Sequence, residues 1–414
     1  MPPSSATRDE SSRAAEKLGE AGFGERAAPS AADRYEEGLR PVRAADERGE
    51  LDRTLGGRAL AAPGRRVQAL IDAAANVYDL TLGDMGIAPR PKPSSIIDDG
   101  PQRTVHRYEP RSDRHHGTLL LIPPLAGPAS CFDLRPGVSM VEYFTWLGYR
   151  TYVVDYGPIS FSDRTLGLEH WVDEVLPLGI EAAAEDAGEE VHAAGWCLGG
   201  IMALLSLAAH EDLPAKSLTL VASPFDFSRV PLMAPIKQLG EKTGGAIVGT
   251  ALRALGGIPA PLVSAGFRLT SVDRYVTRPL FVARNLDNRE ALVHMRAVDA
   301  YMAGMLAYPG RSIGQLYHSF FHGGELAEGE VALGKRTIDL ASVKLPVLAV
   351  AGRSDVLAPP EASHVVGELL PNAEVRLETA PGGHLGVLTG MSARKNTWAL
   401  MREFVEPGAN GDAQ

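Results

Sequence analysis

The run Gly195-Trp196-Cys197-Leu198-Gly199-Gly200 constrains this chain more than any other stretch. Before it stands Val191-His192-Ala193-Ala194, short and apolar, which reads as a buried strand. After it stands Ile201-Met202-Ala203-Leu204-Leu205-Ser206-Leu207-Ala208-Ala209, which reads as a helix. Glycines on both sides of one cysteine let strand and helix approach closely. A turn that sharp lifts the Cys197 sulfur above the sheet and aims the first backbone N–H groups of the helix at whatever the sulfur attacks. Alone, the pattern is weak: free cysteine is a small, often buried hydrophobe, and 44 of the 414 residues are glycine. The strand–turn–helix setting is what makes a nucleophile the better reading.

A nucleophile of this kind needs a base and a group to orient the base. Val347-Leu348-Ala349-Val350-Ala351-Gly352 reads as a buried strand and runs into Arg353-Ser354-Asp355, with a helix starting at Pro359-Pro360. Asp355 therefore falls just past a strand's carboxyl end, where open α/β sheets hold their sites. Ala373–Thr379 alternates as a strand and leads into Pro381-Gly382-Gly383-His384, a tight loop. A loop aspartate usually caps a helix and a loop histidine usually faces solvent. The order nucleophile, acid, histidine at equivalent strand ends outweighs those separate readings and matches the G-x-S-x-G elbow of α/β-hydrolases, with cysteine replacing serine. In this reading Cys197 is the nucleophile, His384 the general base and Asp355 its orienting carboxylate.

The oxyanion hole calls for two donors. One is the N–H of Leu198. The other comes from the loop Pro123-Pro124-Leu125-Ala126-Gly127 after the strand Thr118–Ile122, with Ala126 preferred and Leu125 and Gly127 open. Cysteine narrows the chemistry further. A thiolate exchanges readily with a thioester, and an acyl-cysteine keeps its acyl group activated for a second transfer. Acyl transfer from a thioester therefore fits better than ester hydrolysis.

With these residues in view the chain resembles the polyhydroxyalkanoate synthases, particularly the short catalytic subunits of two-component synthases, from about Gly83 to Glu406. The elbow resembles the family's G-x-C-x-G-G box. Leu345-Pro346-Val347-Leu348 through Asp355-Val356-Leu357-Ala358-Pro359-Pro360 resembles its P-V-L…D-x-L-V-P-P stretch. Pro381-Gly382-Gly383-His384-Leu385-Gly386 resembles P-G-G-H-I-G. The intervals fit as well, 158 residues from Cys197 to Asp355 and 29 more to His384. The resemblance implies polymerisation of 3-hydroxyacyl groups from coenzyme A thioesters, with the growing chain held on Cys197 and Asp355 also available to activate the 3-hydroxyl. It implies no cofactor beyond the coenzyme A thioester substrate, an accessory synthase subunit or a homodimer, and a cytoplasmic place at polyester granules. One stretch departs from the pattern. Where the family carries D-W-G-x-P-D or S-W-R-N-P-D, this chain has Asp155-Tyr156-Gly157-Pro158-Ile159-Ser160. Two alternatives stay open on that ground: a cysteine hydrolase (thioesterase or polyester depolymerase) and a non-catalytic granule-associated protein.

The remaining composition sets bounds. A net charge of −10 offers no broad basic face to nucleic acid. Two cysteines, Cys131 and Cys197, make no disulfide framework, and no apolar run is long enough to span a membrane. His115-His116 lacks the further ligands of a metal site, so no metal is expected. The expected fold is α/β, a mostly parallel doubly wound sheet of the α/β-hydrolase type with a helical cap insertion. Residues 1–66 read as a disordered or partly helical extension, with a short helix within Tyr35–Thr54 open. Residues 67–223 and 336–408 read as the two parts of the core and 224–335 as the cap. Val67, Leu70, Ile71, Ala74, Val77 and Tyr78 recur at helical spacing, read either as a helix packed on the catalytic domain or as one that binds a partner or granule. The aromatics Phe267, Tyr275, Phe281, Tyr301, Tyr317, Phe320 and Phe321 line an acyl tunnel or form ordinary cap core.

Overall fold

The computed structural model describes residues 63–81, 95–112, 115–233, 256–269 and 272–406. The extension before residue 63, including the Tyr35–Thr54 helix, lies outside them. Eight strands form one sheet: β1 Ser95–Gly100, β2 Arg103–Tyr108, β3 Gly117–Ile122, β4 Tyr149–Asp155, β5 Val191–Trp196, β6 Ala215–Val221, β7 Val347–Gly352 and β8 Val375–Ala380. Their order across the sheet is 1-2-4-3-5-6-7-8. β2 runs antiparallel to β1 and to β4, and the remaining pairs are parallel. This is the doubly wound α/β-hydrolase sheet expected from the alternating pattern.

Strand alternation separates two apolar layers. Leu120, Ile122, Ala193, Leu218, Leu220 and Ala349 face one side with helices α3 Leu176–Ala187 and α4 Leu198–Ala209, while Leu119, Leu121, Ala194, Val221, Leu348 and Val350 face the other with α2 Met140–Leu147 and α8 Thr397–Val405. Register aligns the strand ends: Ile122 stands opposite Gly195, Gly195 opposite Leu220, and Gly352 opposite Ala380. The loops after β3, β5, β7 and β8 thus leave from one edge of the sheet.

Three readings change in detail. β1 was not anticipated: Ser-Ile-Ile-Asp-Asp-Gly shows no apolar alternation, because it forms the sheet's edge. The sequence over Leu166–Ala184 reads as one crossover helix; in the structure it starts at Leu168, widens to a π-helical turn over Trp171–Val175 and continues to Ala187. The sequence over Asn288–Tyr308 carries a helical pattern, but the helix closes at Ala303, because Gly304 follows and the chain enters a short strand pairing Tyr308 with Ile258.

Between β6 and β7 the described residues form α5 Ala260–Leu269, α6 Val272–Arg284 and α7 Arg289–Ala303, then a helix from Gly310 that becomes π-helical over Leu316–His322, and a hairpin of Glu330–Leu333 with Arg336–Asp339. α1, Pro63–Thr81, lies against α7 through a buried asparagine: the Asn76 carboxamide donates to the Leu286 carbonyl (2.7 Å) and accepts from Arg289 (3.2 Å). The helix exists as its periodicity indicates, but Ile71, Ala74, Val77 and Tyr78 are exposed.

Candidate active site

Cys197 caps the N-terminus of α4 at φ 53° and ψ −124°, a backbone region that costs a non-glycine residue about 1–3 kcal/mol. The surrounding packing holds it there. Its N–H donates to the Val221 carbonyl (2.8 Å), and its own carbonyl accepts from Ser223 Oγ (2.8 Å). The flanking glycines are demanded by space. A Cβ on Gly195 would lie 2.4 Å from the Gly200 Cα, and one on Gly199 would lie 2.4 Å from the Pro123 carbonyl oxygen. The elbow is therefore pressed against the loop after β3. Cys197 itself is half-buried, whereas Cys131 is fully buried, with its thiol pushed up by that burial.

Asp355 and His384, 29 positions apart, meet at the ends of β7 and β8: His384 Nδ1 donates to Asp355 Oδ2 at 2.8 Å. The two loops are laced together, Arg353 N–H to the Ala380 carbonyl (2.9 Å) and Ser354 N–H to the Gly382 carbonyl (3.1 Å). Gly382 takes φ 126°, and a Cβ there would come within 2.8 Å of the Gly386 backbone. The other Asp355 oxygen accepts from the N–H groups of Leu357 (2.8 Å) and Ala358 (2.9 Å). Burial alone would raise this carboxyl, but the imidazole charge and these three donors hold it below the ordinary aspartate range. For His384, burial works against the charged ring. The charges of Cys197 and Asp355, with hydrogen bonding, outweigh burial and push it up to about 10. Its Nε2 is buried and no partner among the described residues meets hydrogen-bond geometry there; the cysteine sulfur acts on the ring chiefly through charge.

Trp196 adds support that the motif did not single out. Its indole Nε1 donates to the His384 carbonyl (3.3 Å), and its ring lies 5.3 Å from the imidazole. At the oxyanion loop, the Gly127 N–H is committed to the Pro124 carbonyl (2.9 Å), leaving Leu125 and Ala126 as the loop's candidate donors. The Leu198 N–H belongs to the first turn of α4, where N–H groups have no intrahelical acceptor. The loop is anchored from two directions: buried Tyr156 donates to the Pro123 carbonyl (3.1 Å), and Leu306 N–H donates to the Ala126 carbonyl (2.8 Å). The Asp155–Ser160 departure thus has local work in this fold. Tyr156 braces the oxyanion loop, and Ser160 caps the short helix Phe161–Thr165 with Asp163. Of the aromatics read as an acyl tunnel, Tyr301 meets the elbow, 6.3 Å from Trp196. Phe320 and Phe321 pack on Phe227, Tyr317 is buried beside His318 and His322, Phe281 is exposed, and the Tyr275 side chain lies outside the described residues. His115 bonds Glu189 (2.7 Å), and no cluster of three metal-ligating side chains occurs among the described residues.

Sheet order, elbow and the Asp355–His384 pair define an α/β-hydrolase-fold protein with Cys197 at the strand–helix turn. No protein-family model matches the chain. Curated relatives do. It is 22% identical over 353 residues to the poly(3-hydroxyalkanoate) polymerase subunit PhaC of Haloferax mediterranei, covering 84% of this chain and 69% of that one. It is 23% identical over 334 residues to the PhaC subunit of Allochromatium vinosum, covering 77% and 89%. The chain is thus similar, at 22–25% identity, to proteins named as poly(3-hydroxyalkanoate) polymerase subunits. Among solved structures, a hydrolase from Pseudomonas aeruginosa aligns at 15% identity and TM-score 0.42, covering 73% of this chain and 94% of that one.

Proposed function

We propose that the chain polymerises 3-hydroxyacyl groups, taking them from coenzyme A thioesters and carrying the growing polyester on Cys197. The observation that carries this reading is the Asp355–His384 hydrogen bond at the sheet edge where Cys197 stands on its strained elbow. The curated relatives, each named a poly(3-hydroxyalkanoate) polymerase, support the substrate class.

In the acylation step the Cys197 thiolate attacks the thioester carbonyl carbon, forming a carbon–sulfur bond while the π pair moves onto oxygen. The N–H groups of Leu198 and Ala126 are the proposed donors to that oxyanion. Its collapse breaks the bond to coenzyme A, whose sulfur takes the proton from His384. In elongation, the 3-hydroxyl of an incoming 3-hydroxyacyl-coenzyme A attacks the acyl carbon on Cys197 while its proton passes to His384. An ester bond forms, the carbon–sulfur bond breaks and Cys197 leaves as thiolate. Asp355 stabilises the imidazolium, and the lengthened thioester returns to Cys197 by the acylation step. We place the cap in residues 224–335, where its helices gate the acyl group from water. The acyl donor, an accessory subunit or second copy, and a polyester granule are the proposed partners, in the cytoplasm. No helix among the described residues is long and apolar enough to cross a membrane.

Intact-mass measurement of the full chain after incubation with 3-hydroxybutyryl-coenzyme A tests the reading. Mass increments of successive acyl units on the peptide containing Cys197, absent in Cys197→Ala, are expected. Stoichiometric free 3-hydroxy acid without accumulated units would replace polymerisation with hydrolysis. An unmodified cysteine with full granule association would leave a non-catalytic coat protein.

A further inference from the structure

We propose that the hydroxyl of Tyr301, on α7, is a third donor to the oxyanion formed on the acyl group at Cys197, supplied from the cap side of the site. The inference rests on the function proposed above and adds a residue to it.

Tyr301 is 2% exposed, and its hydroxyl has no hydrogen-bond partner among the described residues. Burying a hydroxyl unpaired costs about 1–3 kcal/mol, and phenylalanine would fill the same space without that cost. A buried group left unpaired in this way calls for a functional account. Its position gives one. A Cβ placed on Gly127 would lie 2.9 Å from Tyr301 Oη, so the hydroxyl occupies the space that glycine leaves open in the oxyanion loop. Its ring meets Trp196, the residue immediately before the nucleophile, and Trp196 in turn holds the His384 carbonyl. Tyr301 therefore touches two parts of the elbow region, the loop after β3 and the residue before Cys197.

The placement is rigid. Beyond α7, Leu306 N–H is bonded to the Ala126 carbonyl (2.8 Å), and a Cβ on Gly304 would lie 3.8 Å from Pro128. The end of α7 and the oxyanion loop are thus fixed in one register. Burial keeps the phenol protonated, and the Cys131 and Cys197 charges add to that, so the group is a donor throughout the neutral range. In the free protein the hydroxyl has no acceptor among the described residues; when the carbonyl π pair moves onto oxygen, the weak thioester acceptor becomes one with full charge. An interaction stronger in the transition state than before it lowers the barrier and not merely KM.

The test is Tyr301→Phe in the full chain, with single-turnover coenzyme A release from 3-hydroxybutyryl-coenzyme A and thermal unfolding measured side by side. Wild type and Cys197→Ala are compared first, and equal release from both would sink the underlying function, a result visible before Tyr301 is altered. Expected for Tyr301→Phe is an acylation rate down about 10²-fold with KM little changed and a Tm equal to or above wild type. An unchanged rate overturns the proposal, as does a change confined to KM. A lower rate with a lower Tm overturns it as well, assigning the side chain to packing.

Discussion

At the scale of single residues, the site is a charge arrangement built against burial. The His384 side chain is about nine-tenths buried, and burial disfavours its cation, yet Cys197 and Asp355 push it up to about 10. Removing either anion should lower that value. In Cys197→Ala the imidazole should titrate well below about 10, followed by NMR of the ring protons; a midpoint left near 10 would mean that the cysteine charge plays no part. The sign for stability follows. A histidine raised in the folded state contributes stability fully present below its unfolded value, about 6.5, and lost as pH rises through about 10. Asp355→Asn keeps the shape but removes the anion and cannot hold the same tautomer. Acylation should fall by about 10³–10⁴-fold with the fold intact by circular dichroism, and a loss under tenfold would remove Asp355 from the orienting role.

At the scale of elements, the site depends on how closely α4 meets the loop after β3. Gly199→Ala would set a Cβ 2.4 Å from the Pro123 carbonyl oxygen and 2.5 Å from that of Ile122. Both are backbone, so the loop must move. A cost of about 1–3 kcal/mol and a larger loss of acylation are expected, read by urea unfolding and coenzyme A release. Tyr156 braces the same loop from below. Tyr156→Phe leaves the buried Pro123 carbonyl without this donor and should cost about 1 kcal/mol; full stability would show that the hydroxyl contributes nothing there. This scale also explains what the sequence could tell. β5, the elbow and α4 were legible because glycine spacing, apolar strand and helix former agree over consecutive residues. The juxtaposition of Asp355 and His384 was legible from order along the chain. The bracing by Tyr156 and Trp196 was not, because a hydrogen bond to a distant carbonyl leaves no periodic trace. Tyr301 likewise sits in a helix whose pattern records burial but not what the hydroxyl faces. β1 escaped because an edge strand need not alternate.

At the scale of the whole molecule, the least legible feature is how α1 meets the rest. Val67, Leu70, Ile71, Ala74, Val77 and Tyr78 mark a helix, and apolar spacing ordinarily marks the buried face. Here Ile71 is 56% exposed and Tyr78 61%, while Asn76 is 3% exposed and bonded at both ends of its carboxamide. Asn76 bonds the Leu286 carbonyl and Arg289, and Arg289 also pairs with Asp79, contacts that no hydrophobic pattern encodes. The consequence can be measured. Asn76→Ala strands the Leu286 carbonyl without this donor and removes an acceptor from Arg289, at a cost of about 1–3 kcal/mol. Because α1 sits outside the sheet, that cost should fall on its local docking. Limited proteolysis within residues 63–81 should accelerate several-fold while global unfolding and acylation stay near wild type. Ile71→Ser, on the exposed side, should change neither cleavage nor stability beyond about 0.5 kcal/mol. If Ile71→Ser loosened the helix and Asn76→Ala did not, α1 would be held by its apolar stripe after all.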